Sequence, residues 1–132
     1  MVCAYPGARL NKETREEFGN LIRRYRIHNG MTTIVLQIGS NNLVHHDKAV
    51  PDAHPFILEM ERALREWLRT PNIRFIVNGI LPRAYWLHQE LFDTANDLLE
   101  ELTTRQEFRQ RVKFYPMHKH FIHYRGNNYR IK

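Results

Sequence analysis

The chain has 132 residues, 42% of them apolar, which is enough for one domain with a real core. Its single cysteine, Cys3, excludes an internal disulfide, and no charged start followed by a long apolar run opens it as a secretory leader would. The net charge of +6 is uneven: residues 103–132 hold eight Lys or Arg against one acid, while the other 102 hold twelve against thirteen.

These numbers predict one domain over 1–132 with a basic C-terminal segment, 103–132, in a reducing, intracellular and cytoplasmic setting. The apolar runs are strand-sized, far short of a bilayer crossing, so no membrane-spanning role is expected. The basic end is either a solvated terminus or an electrostatic footprint for phosphate or another acidic partner.

In chain order, Met1 to Tyr5 reads as a short strand broken by Pro6-Gly7. From Asn11 to Arg26, Phe18, Leu21, Ile22 and Tyr25 recur at helical spacing, with Asn11 as N-cap ahead of an acidic first turn and Asn29-Gly30 as the stop. Thr32 to Ile38 is β-branched and nearly continuous in apolar character, the pattern of a parallel strand covered on both faces. Gly39-Ser40-Asn41-Asn42 ends it in a sharp turn. Residues 43 to 54 read as a loop, and Pro55 opens a helix with Ile57, Met60, Leu64 and Trp67 on one side. Ile73 to Ile80 is a second buried strand with Leu81-Pro82-Arg83 as its exit. Leu87, Leu91, Ala95, Leu98 and Leu102 mark a third helix, and Val112 to Met117 a last strand.

Strands alternating with amphipathic helices predict an α/β fold: a three-layer α/β/α arrangement with a parallel sheet, about four strands and three main helices. Ligands of such sheets bind beyond the carboxyl ends of the strands, so the three exits should gather at one edge.

The ordered blocks YPGAR, IVLQIGSNN and FIVNGILPR, each joined to the next by a helix, resemble the middle of an SGNH, or GDSL-type, hydrolase, and most of all the esterase-like domains encoded by non-long-terminal-repeat retrotransposons. The resemblance covers residues 4 to 117. It implies that Gly7, through its backbone N–H, and Asn41, through its side-chain amide, form an oxyanion hole; losing one such neutral donor costs about 100 to 1000-fold in rate. Ser40, Asn42 and Arg83 would line the same ligand site. Asn42 stands where the family usually carries Asp, which removes a charge that would orient nearby backbone groups.

The family's Gly-Asp-Ser nucleophile block and its Asp-x-x-His block have no counterpart in the chain, and Ser40, the only serine, occupies the variable position of the oxyanion turn. A seryl mechanism needs nucleophile and base within hydrogen-bond reach. The expectation is therefore an esterase-like domain without turnover of its own, holding a small acyl or carboxylate ligand and using no cofactor. Cys3 reads as an inert strand residue. His45, His46 and His54, and then His118, His120 and His123, form two clusters without a standard metal spacing; they read as exposed loop histidines, one of the second group being a candidate displaced base.

The alternative function is binding of nucleic acid or another polyanion by the basic aromatic end, through Arg109, Arg111, Lys119, Arg125 and Arg130 interleaved with Phe114, Tyr115, Phe121, Tyr124 and Tyr129. The resemblance implies a flavodoxin-like sheet that is incomplete here, because the absence of the family's first strand would leave open sheet edges, a route to a homo-oligomer.

Overall fold

The computed structural model describes residues 9–25, 30–46, 48–81, 88–125 and 128–131, with side chains for these up to Lys119 except Tyr25. The expected strand at Met1 to Tyr5, Pro6, Gly7, Asn29, Pro82, Arg83 and Leu87 lie outside the described residues.

The first element is helix α1 (Lys12–Tyr25). Asn11 caps it as its sequence position requires, its Oδ1 accepting the Thr14 N–H at 2.9 Å. Gly30 follows with φ at 123°, the left-handed conformation expected after a helix end. Strand β1 (Thr32–Leu36) is followed by a single helical turn, α2 (Ser40–Leu43), and by two-residue strands β2 (Val44–His45) and β3 (Lys48–Ala49), which pair antiparallel. The stretch read as a plain loop from 43 to 54 therefore contains a small hairpin.

Helix α3 (His54–Trp67) carries Pro55 in its first turn, where the missing N–H costs nothing, and buries Phe56, Ile57, Met60, Ala63, Leu64 and Trp67 on one side. Strand β4 (Ile73–Asn78), helix α4 (Gln89–Thr104) and strand β5 (Val112–Tyr115) complete the main body. A turn, α5 (His118–Phe121), leads into an antiparallel ribbon of β6 (Ile122–Arg125) and β7 (Asn128–Ile131).

The main sheet is parallel, in the order β1-β4-β5. Strands taken in sequence and in one direction need both crossovers on the same side, and α3 indeed packs against α4. Between helices and sheet lies the core: Ile73, Phe75 and Val77 from β4, Val112 from β5, Leu36 from β1, with Met60, Leu64, Phe92 and Leu99 from the helices. Helix α1 joins this layer through α3. Phe18 meets Trp67 edge-on at 4.9 Å between ring centres, the Trp67 Nε1–H donates to the Arg15 carbonyl at 3.0 Å, and the Arg15 guanidinium pairs with Glu59 at 3.1 Å and Glu66 at 3.0 Å. A single buried indole thus couples both helices to the sheet through its contact with Phe75.

The sheet's other face departs from the expectation of strands covered on both sides. The register groups Thr33 and Val35 with Arg74 and Ile76 and with Lys113 and Tyr115. Val35 is 58% exposed and Tyr115 46%, and Thr33, Arg74 and Lys113 are exposed as well. Among the described residues the second helical layer is the missing part of the three-layer plan. The apolar run of β1 reports how the strand is built, but not whether a neighbour is there to cover it.

Candidate functional site

The carboxyl ends of β1, β4 and β5 lie along one rim of the parallel sheet; of the three expected exits, Pro6-Gly7 and Pro82-Arg83 lie outside the described residues. Beyond β1, Gly39 adopts φ of 124°, and a Cβ placed there would lie 2.7 Å from the Phe56 ring and 2.8 Å from the side chain of Ile80, which follows β4. Both the conformation and the contact demand glycine. Its carbonyl accepts the N–H groups of Asn42 and Leu43 at 3.0 Å each, winding the single turn of α2 that carries Ser40 and Asn41. These two residues are half-buried.

Asn42 points back to the chain entering α1. Its Oδ1 accepts the Leu10 N–H at 2.8 Å and its Nδ2 donates to the Leu10 carbonyl at 2.9 Å. In the sequence, Asn in place of Asp reads only as a lost charge; the geometry gives it a purpose, because a carboxylate has no donor for the Leu10 carbonyl. Leu10 is 2% exposed, so the clamp ties the turn bearing Asn41 to the segment that leads into α1.

A second amide performs the same operation beyond β4. Asn96, buried on α4, accepts the Ile80 N–H at 2.7 Å and donates to the Ile80 carbonyl at 3.0 Å. Beyond β5, the ring of His118 rests on Gly79: a Cβ on that glycine would fall 1.9 Å from His118 Nδ1. The ring also lies 6.0 Å from that of Phe114. His118 is only 6% exposed, and its Nδ1 has no hydrogen-bond partner among the described residues, so burial holds its pKa below the ordinary histidine value. The charge of Lys119 acts in the same direction, against weaker support for the charged form from Asp97 and Glu100. No motif singles out Asn96 or His118, since each acquires its importance from a glycine or a peptide unit far away in sequence.

Helix α4 starts at this same end of the sheet, where His88, Gln89, Glu90, Asp93, Thr94 and Asp97 line an open cleft. Burial and the nearby Asp97 charge raise the Asp93 pKa, opposed by a hydrogen bond from Gln89. The field there is acidic and disfavours an anion.

The remaining histidines divide differently from the two sequence clusters. His45 and His46 lie with ring centres 4.0 Å apart and ring planes tilted by 60°, and His54 holds Asp52 through its Nδ1 at 2.6 Å. Asp52 has its pKa lowered by the His54 backbone N–H first and by the imidazole second. Among the described residues no group of three or more His, Cys, Asp or Glu converges on one point.

The basic end is partly consumed by the fold. Arg111 donates from Nε to the Ile73 carbonyl at 2.9 Å, and from its two terminal nitrogens to Leu68 at 2.9 Å and Thr70 at 2.8 Å, which makes it a fastener between the α3–β4 turn and β5. A guanidinium so occupied is a poor phosphate ligand, and this removes Arg111 from the expected polyanion set. Arg105 pairs with Glu61, and the Lys113 ammonium donates to the Arg109 carbonyl at 2.6 Å. Arg109 and Lys119 are exposed. Arg125 and Arg130 sit on the ribbon, where Arg125 pairs with Asn128 and His123 with Arg130 in register.

Compared with known protein families, with curated proteins and with solved structures, the chain finds no match in any of the three.

Proposed function

We propose that the protein is an SGNH-type, GDSL-like esterase domain of the retrotransposon-encoded kind that binds a small acyl group at the sheet's carboxyl rim without turning it over. The observation that carries this reading is the Gly39–Leu43 turn, in which a glycine that no other residue can replace sets Asn41 at the strand exit while Asn42 anchors the turn to Leu10. Gly7 and Asn41 would supply two neutral donors to a carbonyl or oxyanion. Ser40 and Arg83 would complete the lining. Among the described residues no activated hydroxyl accompanies Asn41: His118 keeps its ring on Gly79, and Ser40 belongs to the turn itself. The acidic start of α4 favours a neutral acyl group over a free carboxylate.

The test is p-nitrophenyl acetate hydrolysis together with NMR titration by a non-hydrolysable acetamide. The reading expects no turnover above buffer, and a shift of the Asn41 side-chain amide that is lost in Asn41→Ala. Hydrolysis that disappears in Asn41→Ala sinks the inactive reading, and an Asn41 amide indifferent to the probe sinks the binding site.

A second reading, polyanion binding by residues 103–132, is favoured by the concentration of charge there, with Arg109, Lys119, Arg125 and Arg130 as contacts. Single-stranded RNA retained on filters at low salt and released as salt rises supports it; retention that ignores salt rejects it.

A further inference from the structure

His118 joins three features that neither proposed function requires: almost complete burial, a ring nitrogen with no partner among the described residues, and a cradle that only glycine leaves open. We propose that His118 is an acid-released latch, whose protonation drives the imidazole off Gly79 and frees the α5 turn, with the β6–β7 ribbon behind it, from the rim of the sheet. The neutral ring is stable where it lies because it buries apolar area against Gly79 and Phe114. A charged ring has two N–H donors and needs acceptors or water for both.

The neighbouring elements offer little to an imidazolium. Gly79 beyond β4 and Phe114 on β5 are uncharged. Helix α4 presents Asp97 and Glu100, both exposed, and α5 itself adds the opposing cation Lys119. The direction of the linkage follows. Because the docked state holds the imidazole below its ordinary value of about 6.5, docking is fully favoured above that pH. It weakens as pH falls through 6.5 and levels off below the docked pKa. Between the two values the opening equilibrium rises by about tenfold per pH unit.

The Tyr115 carbonyl, which accepts both the Gly79 N–H at 2.8 Å and the Met117 N–H at 2.7 Å, reports the docked state. The experiment is an NMR pH titration of the full chain with amide exchange at Gly79 and Met117, corrected for intrinsic rates. The expected result is a His118 titration below 6.5 and an opening constant up to about fivefold larger at pH 5.5 than at 6.5. That dependence should vanish in His118→Phe and persist in His120→Gln. A His118 that titrates at or above 6.5 overturns the latch, as does an equal pH response in His118→Phe. Should that variant not fold, the wild-type titration and exchange decide the matter on their own: a titration below 6.5 with acid-enhanced opening supports the latch, and pH-independent opening overturns it.

Discussion

An amide side chain can serve a peptide unit on both sides, accepting from its N–H and donating to its carbonyl, and Asn42 does this for Leu10 across 32 residues of sequence. Asn42→Asp keeps the shape and loses the donor, so it should destabilise the fold by about 1 to 3 kcal/mol, seen as a lower urea midpoint with unchanged slope. The corresponding change at the more deeply buried Asn96 should cost more. Arg111→Met preserves the aliphatic stem but abandons three carbonyls, and about 3 kcal/mol should be lost in the same measurement. An undiminished midpoint for Arg111→Met would return that guanidinium to the candidate phosphate ligands. The sequence marks Asn42 as part of a turn but does not reveal its partner, because Leu10 is brought there by the tertiary fold. His118 is indistinguishable in sequence from His120 and His123 for the same reason: what sets it apart is a bare Cα on another strand.

At the level of elements, the sheet is organised around β4, which has a neighbour on each side, while the crossover helices pack on each other and α4 packs on β5. Period-3.6 spacing makes α3 legible almost to the residue, and the alternation of strands with helices foretells a parallel sheet. Trp67 is where these elements depend on one side chain, since it touches Phe18, Phe75 and the Arg15 carbonyl at once. Trp67→Ala should cost about 3 to 5 kcal/mol, and α1 should be the first element to lose amide protection in hydrogen exchange. Uniform loss of protection over α1 and β4 would show that the two are not separable. The short hairpin at 44–49 is invisible in the sequence because two-residue strands have no period to detect.

For the whole molecule, the unfinished feature is the bare sheet face, where Val35 and Ile76 lie in register beside Arg74 and Lys113. Among the described residues β1 also has no strand on its outer side. Uncovered apolar surface of this kind invites a neighbour. Sedimentation of the intact protein should therefore show self-association that grows with added salt and decreases in Val35→Lys; a monomer at all concentrations and salt levels would mean that the face is covered by chain outside the described residues.

Two cations on that face also bear on what can settle there. Stacking one copy on another, sheet to sheet, confronts Arg74 and Lys113 with their own counterparts, a repulsion that dissolved ions weaken over about 10 Å at 0.1 M. Those side chains then act as gatekeepers against fibre-like growth, and it is concentrated electrolyte, rather than dilute buffer, that should make the protein aggregate.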